Sequence, residues 1–121
     1  MAYRGKVLVA EDEYDIAFVL SKSLRDMGYK VIEAYTPEEC IKKIYKEKPD
    51  VALIDGMFRD LCRQIKECSN SMAVVLHSVV CSEEELKKIG ADDQIHRPLN
   101  IRRVIETIDF LVSRKLKILN A

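Results

Sequence analysis

Short apolar runs alternate along this chain with longer segments whose apolar residues recur every three or four positions. The first run, VLVA at 7–10, has the length and β-branching of a buried strand. From Tyr14 to Met27 the apolar positions Ile16, Ala17, Leu20, Leu24 and Met27 follow a helical period, and Gly28 is a helix stop. KVIEAY at 30–35 predicts a second strand. Thr36-Pro37-Glu38-Glu39 then opens a helix, with a Thr to cap it, a Pro suited to the first turn and a Glu in the capping-box position. That helix is expected to run to about Glu47 with Cys40, Ile41, Ile44 and Tyr45 inward, and Pro49 ends it.

DVALID at 50–55 predicts a third strand that finishes on Asp55. Arg59 to Cys68 is weakly helical, with Leu61, Cys62, Ile65 and Cys68 on one face. MAVVLH at 72–77 is a fourth strand, and Ser82 followed by three glutamates opens a short helix that stops at Gly90. DQIH at 93–96 is a short fifth strand before Arg97-Pro98. From Asn100, an N-cap, a long helix carries Ile101, Val104, Ile105, Ile108, Leu111, Val112, Leu116 and Leu119 on one face. Five strands alternating with five helices predict an α/β fold: a parallel sheet, helices on both faces, right-handed crossovers. No linker or low-complexity tract interrupts the βα repeat, so one domain is expected over 1–121.

Composition narrows the partners. Hydrophobic residues make up 48% and charged residues 33%, a globular composition. Twenty basic residues balance twenty acidic ones, which gives no electrostatic footprint for nucleic acid. No apolar run approaches the ~20 residues of a membrane helix, and the opening MAYRGK has no signal-peptide core. Cys40, Cys62, Cys68 and Cys81 form no C-x-x-C pair and have no His at ligand spacing. They read as buried thiols in a reducing cytoplasm rather than a zinc site.

The charge pattern is more informative. Glu11, Asp12 and Glu13 follow the first strand directly. In an open parallel sheet, ligands bind beyond the carboxyl ends of the strands. That rim gathers Glu11 and Asp12, then Asp55, then Ser78, then Arg97, from four separate stretches of sequence. Glu13 is read as a solvated acid at a helix start. Like charges brought together repel unless a cation lies among them, and oxygen donors of this kind suit Mg²⁺. A hydroxyl and a guanidinium beside the metal could hold an anion. Together these groups are what a phosphoryl group on an oxygen nucleophile needs, with Asp55 placed to attack in line. His77 and His96 lie near the rim and are read as neutral strand-end residues rather than phosphoryl carriers.

Three stretches, VLVAEDE, PDVALIDGM and GADDQIHRP, together resemble the receiver domains of two-component response regulators over essentially the whole chain. The resemblance implies a flavodoxin-like (βα)5 fold with strand order 2-1-3-4-5. It implies that Asp55 is the phosphoacceptor. Glu11, Asp12, Asp55 and the backbone carbonyl of Met57 would bind Mg²⁺, with Asp12 a direct ligand and Glu11 acting through water. Ser78 would be the switch hydroxyl, Arg97 would stand at the position of the family's Lys, and Pro98 would follow a cis peptide. The implied partners are a histidine kinase or phosphotransfer protein and a downstream output, in the cytoplasm. A homodimer through the fourth and fifth helices is compatible with it.

Three positions depart from the family pattern. Arg97 replaces a Lys, and its planar, larger head is not equivalent at a tight phosphate site. Gln94 stands where the family usually has a Tyr or Phe that turns inward on switching. The segment after Asp55, GMFRDLCRQIKE, runs almost directly into the third helix, which should be shorter or shifted. These departures keep open a second reading, a degenerate receiver that binds a partner without phosphorylation. A Mg²⁺-dependent phosphatase fits poorly, because Gly56 and Met57 follow Asp55 where a second catalytic acid is needed.

Overall fold

A computed structural model describes residues 4–69, 71–78 and 80–119, with side chains as far as Lys115. Five strands form one sheet: β1 (Gly5–Ala10), β2 (Tyr29–Ala34), β3 (Val51–Asp55), β4 (Ala73–His77) and β5 (Asp93–Ile95). Their order is β2-β1-β3-β4-β5, and every pairing is parallel, as the resemblance implies. The helices are α1 (Tyr14–Asp26), α2 (Pro37–Glu47), α3 (Cys62–Cys68), α4 (Glu83–Ile89) and α5 (Ile101–Leu119).

The two-residue period of the strands sorts the interior into two cores. Val7 and Val9 of β1, Val51 and Leu53 of β3, and Val75 of β4 point to one face, the upper core, with Leu20 and Leu24 of α1 and Val104 and Ile108 of α5. Leu8, Ala10, Ala52, Ile54, Val74 and Leu76 point to the other, the lower core, with Cys40 and Ile44 of α2 and Cys62 and Ile65 of α3. Both faces of β1 and β3 are buried, which is why their sequences read as unbroken apolar runs.

Local signals explain the helix ends. Thr36 accepts the Glu39 amide at 3.2 Å and Pro37 occupies the first turn of α2. Ser82 and Glu85 form a reciprocal capping box on α4, and Gly90 closes it at φ 84°. Two expectations need correction. Tyr45 is 61% exposed, because α2 keeps only Cys40 and Ile44 fully inward. The helix expected from Arg59 is split: a 3-10 turn spans Gly56–Leu61, Phe58 breaks helical geometry at φ −100°, and α3 starts only at Cys62. The buried ring of Phe58 joins the lower core, and this anchor tightens the turn. Leu116 and Leu119 lie outside the described side chains.

Candidate functional site

The register of the three central strands builds the site. Ala10 pairs with Ile54, and Asp55 pairs with His77. The Glu11 amide still donates to the Ala34 carbonyl at 3.0 Å, so the chain holds its strand direction one residue past β1. Glu11, Asp55 and His77 therefore stand side by side, each two residues beyond an upper-core residue: Val9, Leu53 and Val75. A Glu oxygen, an Asp oxygen and a His ring nitrogen lie within 4.8 Å of one another. Glu11 is 2% exposed, His77 0% and Asp55 9%.

The electrostatics of this trio are not self-sufficient. Burial pushes the Asp55 carboxyl above its ordinary range, and the neighbouring Glu11 charge pushes it further. His77 and the Met57 amide, which donates to Asp55 Oδ2 at 3.4 Å, pull it back, and Asp12 adds a smaller upward push. His77 Nε2 faces Glu11 Oε2 at 3.3 Å but out of line for a hydrogen bond, so each is left without a partner. An orphaned buried polar group costs about 1–3 kcal/mol. Two carboxylates, an imidazole and two orphaned atoms together fit a divalent cation, which would offset both the repulsion and the missing bonds.

Around this centre the other expected residues sit differently. Asp12 and Glu13 are exposed at the start of α1 and lie outside the close trio. The Glu13 amide donates to Glu11 Oε1 at 3.3 Å, which fixes the Glu11 side chain from behind. Met57 exposes its side chain, 70%, while its backbone begins the turn that Asp55 caps. Ser78 follows β4 with φ 63°, a left-handed conformation uncommon for a residue with a Cβ. Its amide donates to Ile95 O at 3.1 Å, and its hydroxyl lies 3.2 Å from His77 Nδ1. Arg97 is exposed, precedes a cis peptide to Pro98 and, among the described residues, makes no ion pair. The structure brings Glu11 and Asp55 together, sets Ser78 one residue away, and leaves Asp12 and Arg97 at the solvent edge.

Two residues have roles that the sequence reading missed. His77 is not a strand-end bystander but a member of the trio. Parity could have found it: it lies two residues after the upper-core Val75 and ends the strand beside β3. Gln94 is the second. Its Nε2 donates to Cys81 O at 2.7 Å and its Oε1 accepts from Cys81 N at 2.8 Å. One amide thus fastens the connection after β4 to β5, and nothing local in the sequence reveals that pairing.

The response regulator receiver domain family model matches residues 7–109. A CheY-like receiver domain from Methanospirillum hungatei has 24% identity over 97% of this chain and 98% of its own, with a TM-score of 0.86. The chemotaxis protein CheY4 of Vibrio cholerae has 25% identity over 92% and 98%, with a TM-score of 0.78. NtrX of Brucella abortus, solved in complex with ADP, has 22% identity and a TM-score of 0.87. The match covers 99% of this chain but 28% of NtrX, so this chain spans under a third of that protein.

Proposed function

This chain belongs to the response regulator receiver domains, and from that premise we propose that it accepts a phosphoryl group on Asp55 in a metal-assisted transfer from a histidine kinase or phosphotransfer protein. The observation that carries the proposal is Asp55 itself: a carboxylate at the carboxyl end of the central strand, held against Glu11 and raised in basicity by burial and by that charge. A carboxylate in that setting gains from meeting an electrophile or a cation.

In the transfer, an Asp55 oxygen attacks the phosphorus and an acyl phosphate forms, while the phosphorus–nitrogen bond of the donor histidine breaks and its electron pair returns to the imidazole. Mg²⁺ is the expected cofactor, and Glu11, Asp12, Asp55 and the Met57 carbonyl would hold it. When bound it would neutralise charge on the transferring oxygens. The Met57 amide, already directed at Asp55, orients the carboxylate. Ser78, whose hydroxyl lies 3.2 Å from His77 Nδ1, is the proposed switch hydroxyl for a group on Asp55. The exposed Tyr14 and Phe18 of α1 and Met57 after β3 offer apolar area to a docking partner. Among the described residues no helix is long and apolar enough to cross a membrane, which accords with the cytoplasmic setting proposed here.

The test is intact mass after incubation with Mg²⁺ and acetyl phosphate. One added phosphoryl group on the wild type, absent from Asp55→Asn, is the expected result. An unmodified wild type that also ignores a panel of phosphorylated histidine phosphotransfer proteins would refute the proposal.

A further inference from the structure

We propose that His77 Nε2 is a direct metal ligand, which makes this a site for a first-row transition-metal dication of the Co²⁺, Ni²⁺ or Zn²⁺ type, with Mg²⁺ the weaker occupant. The inference rests on the metal-assisted reading of the same site and adds a ligand to it. Its basis is the pair of orphaned atoms. His77 is fully buried, its Nε2 has no hydrogen-bond partner, and that nitrogen lies 3.3 Å from Glu11 Oε2, which is also unpartnered. With Asp55 the three ligand atoms fall within 4.8 Å, close to the span of donors around one ion.

The donor set decides the class of metal. Mg²⁺ takes oxygen and gives up its waters reluctantly, so a buried imidazole is a poor ligand for it. Imidazole suits nickel, copper, zinc and iron, and in a mixed nitrogen and oxygen site affinity rises along the series from manganese to copper. A buried imidazole with an unpartnered ring nitrogen is therefore better matched to these ions than to Mg²⁺.

The other ring nitrogen supports the assignment. A histidine bound through Nε2 carries its proton on Nδ1 and hands it to a neighbouring acceptor, which fixes the tautomer. Here Nδ1 lies 3.2 Å from Ser78 Oγ. The Ser78 oxygen becomes the acceptor, and its own proton is left to point elsewhere. That contact would make Ser78 a positioning residue for the imidazole.

Oxygen-only sites also prefer Co²⁺ to Mg²⁺, so preference alone proves nothing, and the test compares how each metal responds to loss of the ring. The full chain and His77→Leu are titrated calorimetrically with Co²⁺ and with Mg²⁺. Co²⁺ affinity should fall by roughly 10- to 100-fold or more, since losing even an outer partner of a ligand costs that much. Mg²⁺ affinity should change by less than about threefold. The chain has two histidines, and His96 is exposed, so His96→Gln leaves His77 alone for a readout that needs no His77 variant. Its Co²⁺ form should show one hyperfine-shifted, exchangeable imidazole N–H proton. Equal losses for both metals, or a Co²⁺ form without that proton, overturn the ligand assignment and leave the phosphoacceptor reading standing. Failure of the wild type to bind either metal overturns both.

Discussion

The sheet presents two unlike regions at the same end. At its centre, β1, β3 and β4 deliver Glu11, Asp55 and His77 from strands buried on both faces, Asp55 and His77 paired in the ladder and Glu11 one hydrogen bond beyond it. At its edge, β5 is three residues long, α4 has no buried residue, and Ser78 and Gln94 hold the intervening connection by hydrogen bonds. The centre gets its geometry from packing, which is cooperative and costly to disturb. The edge gets its geometry from a few polar contacts, each worth about 1 kcal/mol and separately removable. A domain built this way can keep its central carboxylate fixed while the surface beside it opens separately.

Truncation should expose the contrast most strongly. Ile54→Ala, in the centre of the lower core and fully buried, should cost about 3–4 kcal/mol in urea unfolding. Leu86→Ala in α4, only partly buried, should cost roughly 1 kcal/mol. Similar costs at both positions would mean that the edge is packed as tightly as the centre.

A pH series offers the next largest effect. Burial pushes the thiols of Cys40 and Cys62 up to about 12. In the unfolded chain they ionise near 8.5, so above that pH the unfolded state releases protons that the folded state retains. The folded pKa is the raised one, so this stability is fully present below about pH 8.5 and drains as pH rises towards 12. At pH 10 the loss is about 2 kcal/mol for each thiol. Replacing both by Ala and repeating the pH series should flatten that alkaline slope, although the core loses volume at every pH.

How much of this was legible beforehand follows from the same division. Strands β1, β3 and β4 announced themselves as short apolar runs because both faces are covered, and Asp55 and Glu11 stood out as charges at the ends of those runs. Periodicity read α1 and α5 well, but it misplaced Tyr45, since a twelve-residue amphipathic pattern tolerates one aromatic at the boundary of its buried stripe. The 3-10 turn at Gly56–Leu61 was missed because one buried ring, Phe58, overrides weak helical propensity. His77 and Gln94 were missed for other reasons. His77 carried a parity signal that was not applied, while the Gln94 role depends on a partner at position 81 that no local pattern reveals.

Gln94→Ala should act on the edge alone. It removes two hydrogen bonds to the Cys81 backbone, at an expected cost of about 1–2 kcal/mol. The clearer measurement is hydrogen exchange and thiol labelling at Cys81, both of which should accelerate several-fold. Labelling of Cys40 and Cys62, which report opening of the interior, should follow only the change in global stability. If all three thiols accelerate together, the edge does not open separately and the two-region picture fails.

The smallest expected effect is also the one that isolates chemistry from structure. Arg97 is exposed and unpaired among the described residues, so Arg97→Ala should leave stability within about 0.5 kcal/mol of wild type. On the proposed reading, its side chain would acquire a partner only when Asp55 carries a phosphoryl group. The change should therefore appear in the yield or lifetime of the phosphorylated form, and Arg97→Lys should recover part of it, since Lys keeps the charge but not the planar fork. An Arg97→Ala protein that is phosphorylated and hydrolysed like wild type would place Arg97 outside the reaction. The residues around the central trio would then contribute Asp12 and Ser78 without a cation, and charge on the phosphoryl group would be met by the metal alone.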